Sequence, residues 1–225
     1  MPAPTIAASS ESSSNVFTKP TGLADGDLLE ILYWQFHGAD GDPAPPSGFT
    51  SVGVTTINMG GTRLSAMICR KVIVTASGEA ANYTVTQGGG SNFADGGEIF
   101  RIAGANTSSP ENNAGTRTNS GTGTSATSAS ITTDVANCLL LLLVATNGQD
   151  PGTPSGMTSQ FFQDTDVEGF SQALSATLSG ATRVSTISSA EWVTVVVAIP
   201  EAGGGGGGST QPPRAMHQYR MRRVA

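Results

Sequence analysis

Apolar residues in this chain come in short runs separated by polar, glycine-rich stretches. Asp27–Phe36 (DLLEILYWQF) is a nearly continuous apolar run, as for a central strand. Arg63–Thr75 alternates around Leu64, Ala66 and Ile68 before passing into Val72-Ile73-Val74, and Asn82–Thr86 alternates again. Gly97–Ala103 is short and apolar. The later part offers Ser128–Thr132, Asn137–Thr146, Ser171–Leu178 and Glu191–Ile199. Each run is bounded by Gly, Pro, Asn or Asp, the residues that set turns. The leucine run Leu139–Leu143 is too short for a helix and lacks a 3.6-residue period, so it too reads as buried strand.

These runs repeat. Gly26-Asp27-Leu28-Leu29 opens an apolar strand that is followed by Pro45-Pro46-Ser47-Gly48-Phe49-Thr50. Asn137-Cys138-Leu139-Leu140 opens another, followed by Thr153-Pro154-Ser155-Gly156-Met157-Thr158. The two Pro-Ser-Gly segments lie 108 residues apart. A four-stranded sheet leaves an apolar face uncovered, and two such halves bury both faces against each other. The expectation is an all-β, jelly-roll-like antiparallel β-sandwich made of two similar four-stranded halves, about 1–104 and 126–202 within a body of 1–202, joined by a polar connection over 105–125. The same connection is long enough for two separate small β-domains, the alternative.

Charge then changes the picture. Lys, Arg, Asp and Glu together make up only 12 % of the chain, against the usual charged helical surface, and the net charge is −6. The stretch 209–225 holds Arg214, Arg220, Arg222 and Arg223 without an acid, a charge of +4, so residues 1–208 carry −10. An acidic body is repelled by phosphates, which argues against nucleic acid as its partner. Cys69 and Cys138 sit in apolar runs without CxxC spacing and read as buried thiols. The first residues lack a secretion-signal pattern, and the longest apolar run, Cys138–Ala145, is far too short for a helical membrane span. A protein made in the cytoplasm, with no membrane segment, is expected.

The pattern Thr18-Lys19-Pro20-x-Gly22-x3-Gly26-Asp27-Leu28-Leu29, with Pro46-Ser47-Gly48-Phe49-Thr50, resembles a family of jelly-roll-like structural proteins of tailed bacteriophages and prophages. Arg70-Lys71-Val72 before Gly78-Glu79-x2-Asn82-Tyr83-Thr84, Pro154-Ser155-Gly156-Met157-Thr158 and the closing Trp192-Val193-x3-Val197-Ala198 continue it. The resemblance covers roughly 4–200. It implies a virion location among other capsid or tail proteins, as a head decoration, fibre or tail accessory. Homo-oligomerisation is expected by analogy with capsid jelly rolls. These motifs are structural, so they imply a setting rather than a chemistry.

Catalytic chemistry finds little footing. A serine hydrolase needs Ser, His and an acid in a supported arrangement, and the body has one histidine, His37, at a strand end where a loop or rim position is expected. No G-x-S-x-G is present. Asp40, Asp42, Asp150, Asp164, Asp166 and Glu168 fall in turn-rich stretches and read as solvated loop acids rather than a glycosidase pair. No enzyme activity and no cofactor are therefore expected. Asp40, Asp42 and Asp150 follow equivalent strands in the two halves, where they could gather to hold Ca²⁺; solvated turns are the plainer reading. Trp34 reads first as core, and second as a sugar-stacking aromatic in a host-adsorption module that binds a surface glycan.

The C-terminal stretch carries the strongest functional expectation. Gly203–Gly208 is a flexible tether with a reach of roughly 12–15 Å. The non-globular peptide at 209–225 places Pro212, Pro213, Arg214, Tyr219, Arg220, Met221, Arg222, Arg223 and Val224 for docking onto a partner. Arg and Tyr are favoured interface residues, and the Pro-Pro pair keeps the peptide extended for strand addition to a partner sheet.

Overall fold

The computed structural model describes residues 2–38, 41–112, 117–163 and 166–203. Both Pro-Ser-Gly segments close the same β-turn. The Phe49 amide donates to the Pro46 carbonyl at 3.0 Å and the Met157 amide to the Pro154 carbonyl at 3.1 Å. Gly48 (φ +82°) and Gly156 (φ +78°) take the left-handed third position that a type II turn requires, which is why glycine stands there in each half. The turn drops Phe49 and Met157 onto the outer faces of their sheets, where both are buried.

Among the described residues, twelve strands follow in order. The first half gives β1 (Thr5–Ser12), β2 (Val16–Thr18), β3 (Leu28–His37), β4 (Thr50–Asn58), β5 (Arg63–Val72), β6 (Asn82–Thr84) and β7 (Asn92–Ala103). The second gives β8 (Thr118–Thr127), β9 (Cys138–Thr146), β10 (Thr158–Gln163), β11 (Val167–Ala173) and β12 (Val184–Pro200). One sheet has the order β1-β7-β3-β5-β4, the other β8-β12-β9-β11-β10, and β2 pairs with β6 in a separate ribbon. All pairings are antiparallel. Matching the strands by the repeated turn makes the two orders identical, so the duplication extends to topology.

The two sheets face each other across one shared core. Leu28, Leu32, Trp34, Ile68 and Phe100 of the first meet Leu141, Leu143, Phe161, Val195 and Val197 of the second. The residues of this core come from both halves of the chain. Each sheet is also covered on its other side. Leu29, Ile31, Tyr33, Met67 and Ile99 pack under Phe17 of β2 and Tyr83 of β6. Leu140, Leu142, Phe170 and Val196 pack under Ala129, Ile131, Leu174 and Ile187. The sandwich therefore has four layers, and the near-continuous apolar runs in β3 and β9 follow from burial on both faces.

Several expectations change. Each half supplies five strands to its sheet, not four. Jelly-roll wiring passes strands between the two sheets, whereas here β1, β3, β4, β5 and β7 all stay in one sheet and β8 to β12 in the other. The polar connection expected over 105–125 is shorter, because Thr118–Thr127 is the edge strand β8. Ser128–Thr132 makes only an isolated bridge, Ile131 with Ala181, and serves as cover for the outer face. Ser171–Leu178 leaves its sheet after Ala173, where Leu174 turns onto that same face.

Partly buried ion pairs tie down the connection between the halves. Glu111 pairs with both Arg70 of β5 and Arg117. Arg117 also donates from Nη1 to the Val52 carbonyl at 3.2 Å, tying the start of the second half to β4. Behind them Glu30 sits fully buried on the inter-sheet side of β3, between Leu28 and Leu32. Burial pushes its carboxyl well above the ordinary range, and the charges of Arg70 and Arg117 oppose that shift.

Candidate functional site

Two polar assemblies occupy the end of the sandwich where β3 finishes. The first is a hydrogen-bonded chain on the outer side of the first sheet. His37, which is wholly buried rather than at a rim, contacts the Ser65 Oγ through Nε2 at 2.8 Å. Ser65 Oγ lies 2.6 Å from Thr56 Oγ1, which donates to Asp42 Oδ1 at 2.5 Å. Because Thr56 spends its proton on Asp42, Ser65 donates to Thr56 and His37 Nε2–H donates to Ser65. That direction is opposite to the one a serine nucleophile needs, and Ser65 is itself fully buried. The set is a chain of hydrogen bonds from His37 to Asp42. Gly88 lies over it, with its amide donating to Gln35 Oε1 at 2.8 Å.

The second assembly is an open cleft of about 420 Å³ lined by Glu11, Ser13, Trp34, Asn92, Phe93, Ala94, Asp95 and Gln163. Its floor depends on a bond between the sheets. Trp34 Nε1–H donates to Gln163 Oε1 at 2.8 Å, and Gln163 Nε2 donates to the Ser12 carbonyl. Gly96 makes room for this, since a Cβ there would stand 2.4 Å from Gln163 Oε1 and 2.5 Å from the Ser12 carbonyl. Asp95 Oδ2 accepts from Tyr33 Oη at 2.9 Å and from Gln87 Nε2 at 2.7 Å. Burial, then the Asp95 charge, holds the Tyr33 phenol well above its ordinary range, so it remains a donor.

Phe93 reaches the cleft through a β-bulge. Phe36 pairs with Ala94 and His37 with Asn92, so Phe93 is an extra residue in β7 with no opposite number in β3. The bulge turns its ring outward, where it is 57 % exposed and packs at 5.7 Å, tilted, on Phe36. Beside the cleft, Glu98 of β7 stands opposite Glu11 of β1. Burial and the Glu11 charge raise the Glu98 carboxyl from an ordinary 4.5 to about 7, although a hydrogen bond with Ser9 pulls the other way.

The expected site residues divide clearly. Trp34 is only 4 % exposed, its N–H is taken by Gln163, and it lies in the cleft floor. Asp42 accepts from Thr56, and Asp40 and Asp164 lie outside the described residues. Asp150 stands near Glu168, whose carboxyl is raised by burial first and by Asp150 as well. Neither of these two lines the cleft. No group of three or more His, Cys, Asp or Glu side chains among the described residues could hold a metal ion. Cys69 and Cys138 are free, buried thiols.

Gly203 is the last described residue, so the docking residues Pro212, Pro213, Arg214, Tyr219, Arg220, Met221, Arg222, Arg223 and Val224 lie outside the described residues, as does the tether 204–208. Among the described residues no helix is long and apolar enough to cross a membrane. Comparison with known protein families, with curated proteins and with solved structures finds no match.

Proposed function

We propose that this chain is a non-enzymatic structural protein of a tailed-phage particle, a decoration, fibre or tail-accessory type. Its body is a rigid display unit, and its C-terminal peptide attaches it to a neighbouring virion subunit. The observation that carries the reading is the change in sequence composition after Ala202. Glu201 bridges Ala105, and the Ala202 amide donates to the Gly104 carbonyl at 2.7 Å. Beyond Ala202 come a glycine run and a peptide of charge +4 on a body of charge −10. A tether that starts on a fixed point lets its peptide search a short radius for a partner.

Arginines paired with acidic groups, and Tyr219, Met221 and Val224 buried against apolar ones, would supply the attachment. The resemblance in the Pro-Ser-Gly segments and their flanks supplies the phage setting. The buried orientation of the His37–Ser65 pair supports a body without hydrolytic chemistry. Particles assembled with a chain truncated after Ala202 should lack the protein, while the truncated body purifies folded. Normal occupancy of the truncated chain in purified particles would sink the proposal.

A further inference from the structure

We propose that the cleft around Phe93 binds the end of an uncharged oligosaccharide. The bulge in β7 spends a residue to place an aromatic ring in solvent, and the ring is held there from behind. Phe36 packs on it, and a Cβ at Gly38 would come within 3.3 Å of its ring carbons. Among the four exposed large apolar residues described, Val16, Val74, Phe93 and Val184, it is the aromatic one, and it alone lines this cleft. A backed, outward-facing ring suits the C–H face of a pyranose.

The polar groups around it are fixed before any ligand arrives. Asp95 is oriented by Tyr33 and Gln87, Gln163 by Trp34 and Ser12, and Asn92 Oδ1 accepts from Gln35 at 3.3 Å. That arrangement leaves Asn92 Nδ2 as a donor and the Glu11 and Asp95 carboxylates as acceptors, the mixture that sugar hydroxyls satisfy. Among the described residues, the lining contains two carboxylates and no Lys, Arg or His, which disfavours sialylated, uronic or phosphorylated sugars. The volume of about 420 Å³ falls in the range of small-ligand sites and suits a chain terminus rather than a long polymer. A basic peptide is the competing occupant.

The test uses the full chain in saturation-transfer NMR and calorimetry. The probes are lactose, maltotriose, mannotriose and N,N′,N″-triacetylchitotriose, with 3′-sialyllactose and a synthetic peptide of residues 209–225 alongside. At least one uncharged sugar should bind. Phe93→Ala should weaken it about tenfold, the loss of one stacking contact. Glu11→Gln should weaken it several-fold, whereas Val74→Ala, which changes an exposed residue outside the cleft, should leave it unaltered. Thermal melts of each variant keep folding separate from binding, and Phe93 and Glu11 are both exposed enough for the fold to survive their loss. No binding by any uncharged probe, equal binding by Phe93→Ala, or preference for sialyllactose or the peptide would each overturn the assignment.

Discussion

Leu142 tests the four-layer architecture most directly. It lies in β9 on the side away from the other sheet, where a two-layer sandwich would leave it facing water. Here it is fully buried among Phe170, Val196 and the covering segments that carry Ile131 and Leu174. Leu142→Ala removes three buried carbons, about 2.4 kcal/mol of transfer free energy. The cavity left behind brings the total to about 3–4 kcal/mol. Leu141→Ala, on the inter-sheet side and equally buried, should cost the same. Val184→Ala, at a position 45 % exposed, should cost under about 0.5 kcal/mol. Urea unfolding followed by tryptophan fluorescence reads the difference. With a slope of about 2–3 kcal/mol/M, both leucine variants should lower the midpoint by roughly 1–2 M. If Leu142→Ala stayed within about 0.5 kcal/mol of the parent while Leu141→Ala fell as expected, the outer cover would not be a packed layer.

The repeated turn makes a paired prediction. Gly48→Ala and Gly156→Ala each force a Cβ into left-handed backbone and should destabilise by about 1–2 kcal/mol, measured by the same urea midpoints. Unequal costs, with one of the two near zero, would mean that the turns are not equivalent. Glu98 predicts a pH dependence of opposite sign to that of a paired carboxylate. With its folded value raised from 4.5 to about 7, its contribution is fully present below about pH 4.5 and is lost as the pH rises through 7. Glu98→Gln, which cannot ionise, should melt with the parent at about pH 4.5 and above it at about pH 8; a constant difference across that range would refute the burial argument.

The central strands were legible in the sequence, and the edges were not. β3, β5, β7, β9, β11 and β12 stand inside their sheets and carry apolar residues dense enough to register as runs, although the limits of β11 were displaced toward Leu178. The four edge strands β1, β4, β8 and β10 escaped as individual elements. TNSGTGTSAT in β8 illustrates why: an edge pairs on one side only, so Ser, Thr and Gly suffice and no hydrophobic period appears. The cleft was hidden for a related reason. Glu11 comes from one such edge, Gln163 from the end of another, and Phe93 from a bulge whose extra residue breaks the alternation that a reader would follow. Trp34 was visible as an aromatic, but its orientation depends on Gln163, a residue contributed by the other half.

Twinned sheets leave room for a division of labour between copies. Strand registers align Leu28 opposite Ile102 with Leu139 opposite Ile199, and counting along from these matches Trp34 with Ala145 and Phe93 with Ala190. The second copy thus carries methyl groups where the first carries the two rings of the cleft. Either half alone would expose the face that its twin now covers, so neither can be discarded. Yet only one has to remain a plain scaffold, and its partner is free to vary at the far rim without endangering the common core. Substitutions should therefore be tolerated unevenly: scarcely at all between the sheets, and much more readily around Phe93, on one copy and not the other.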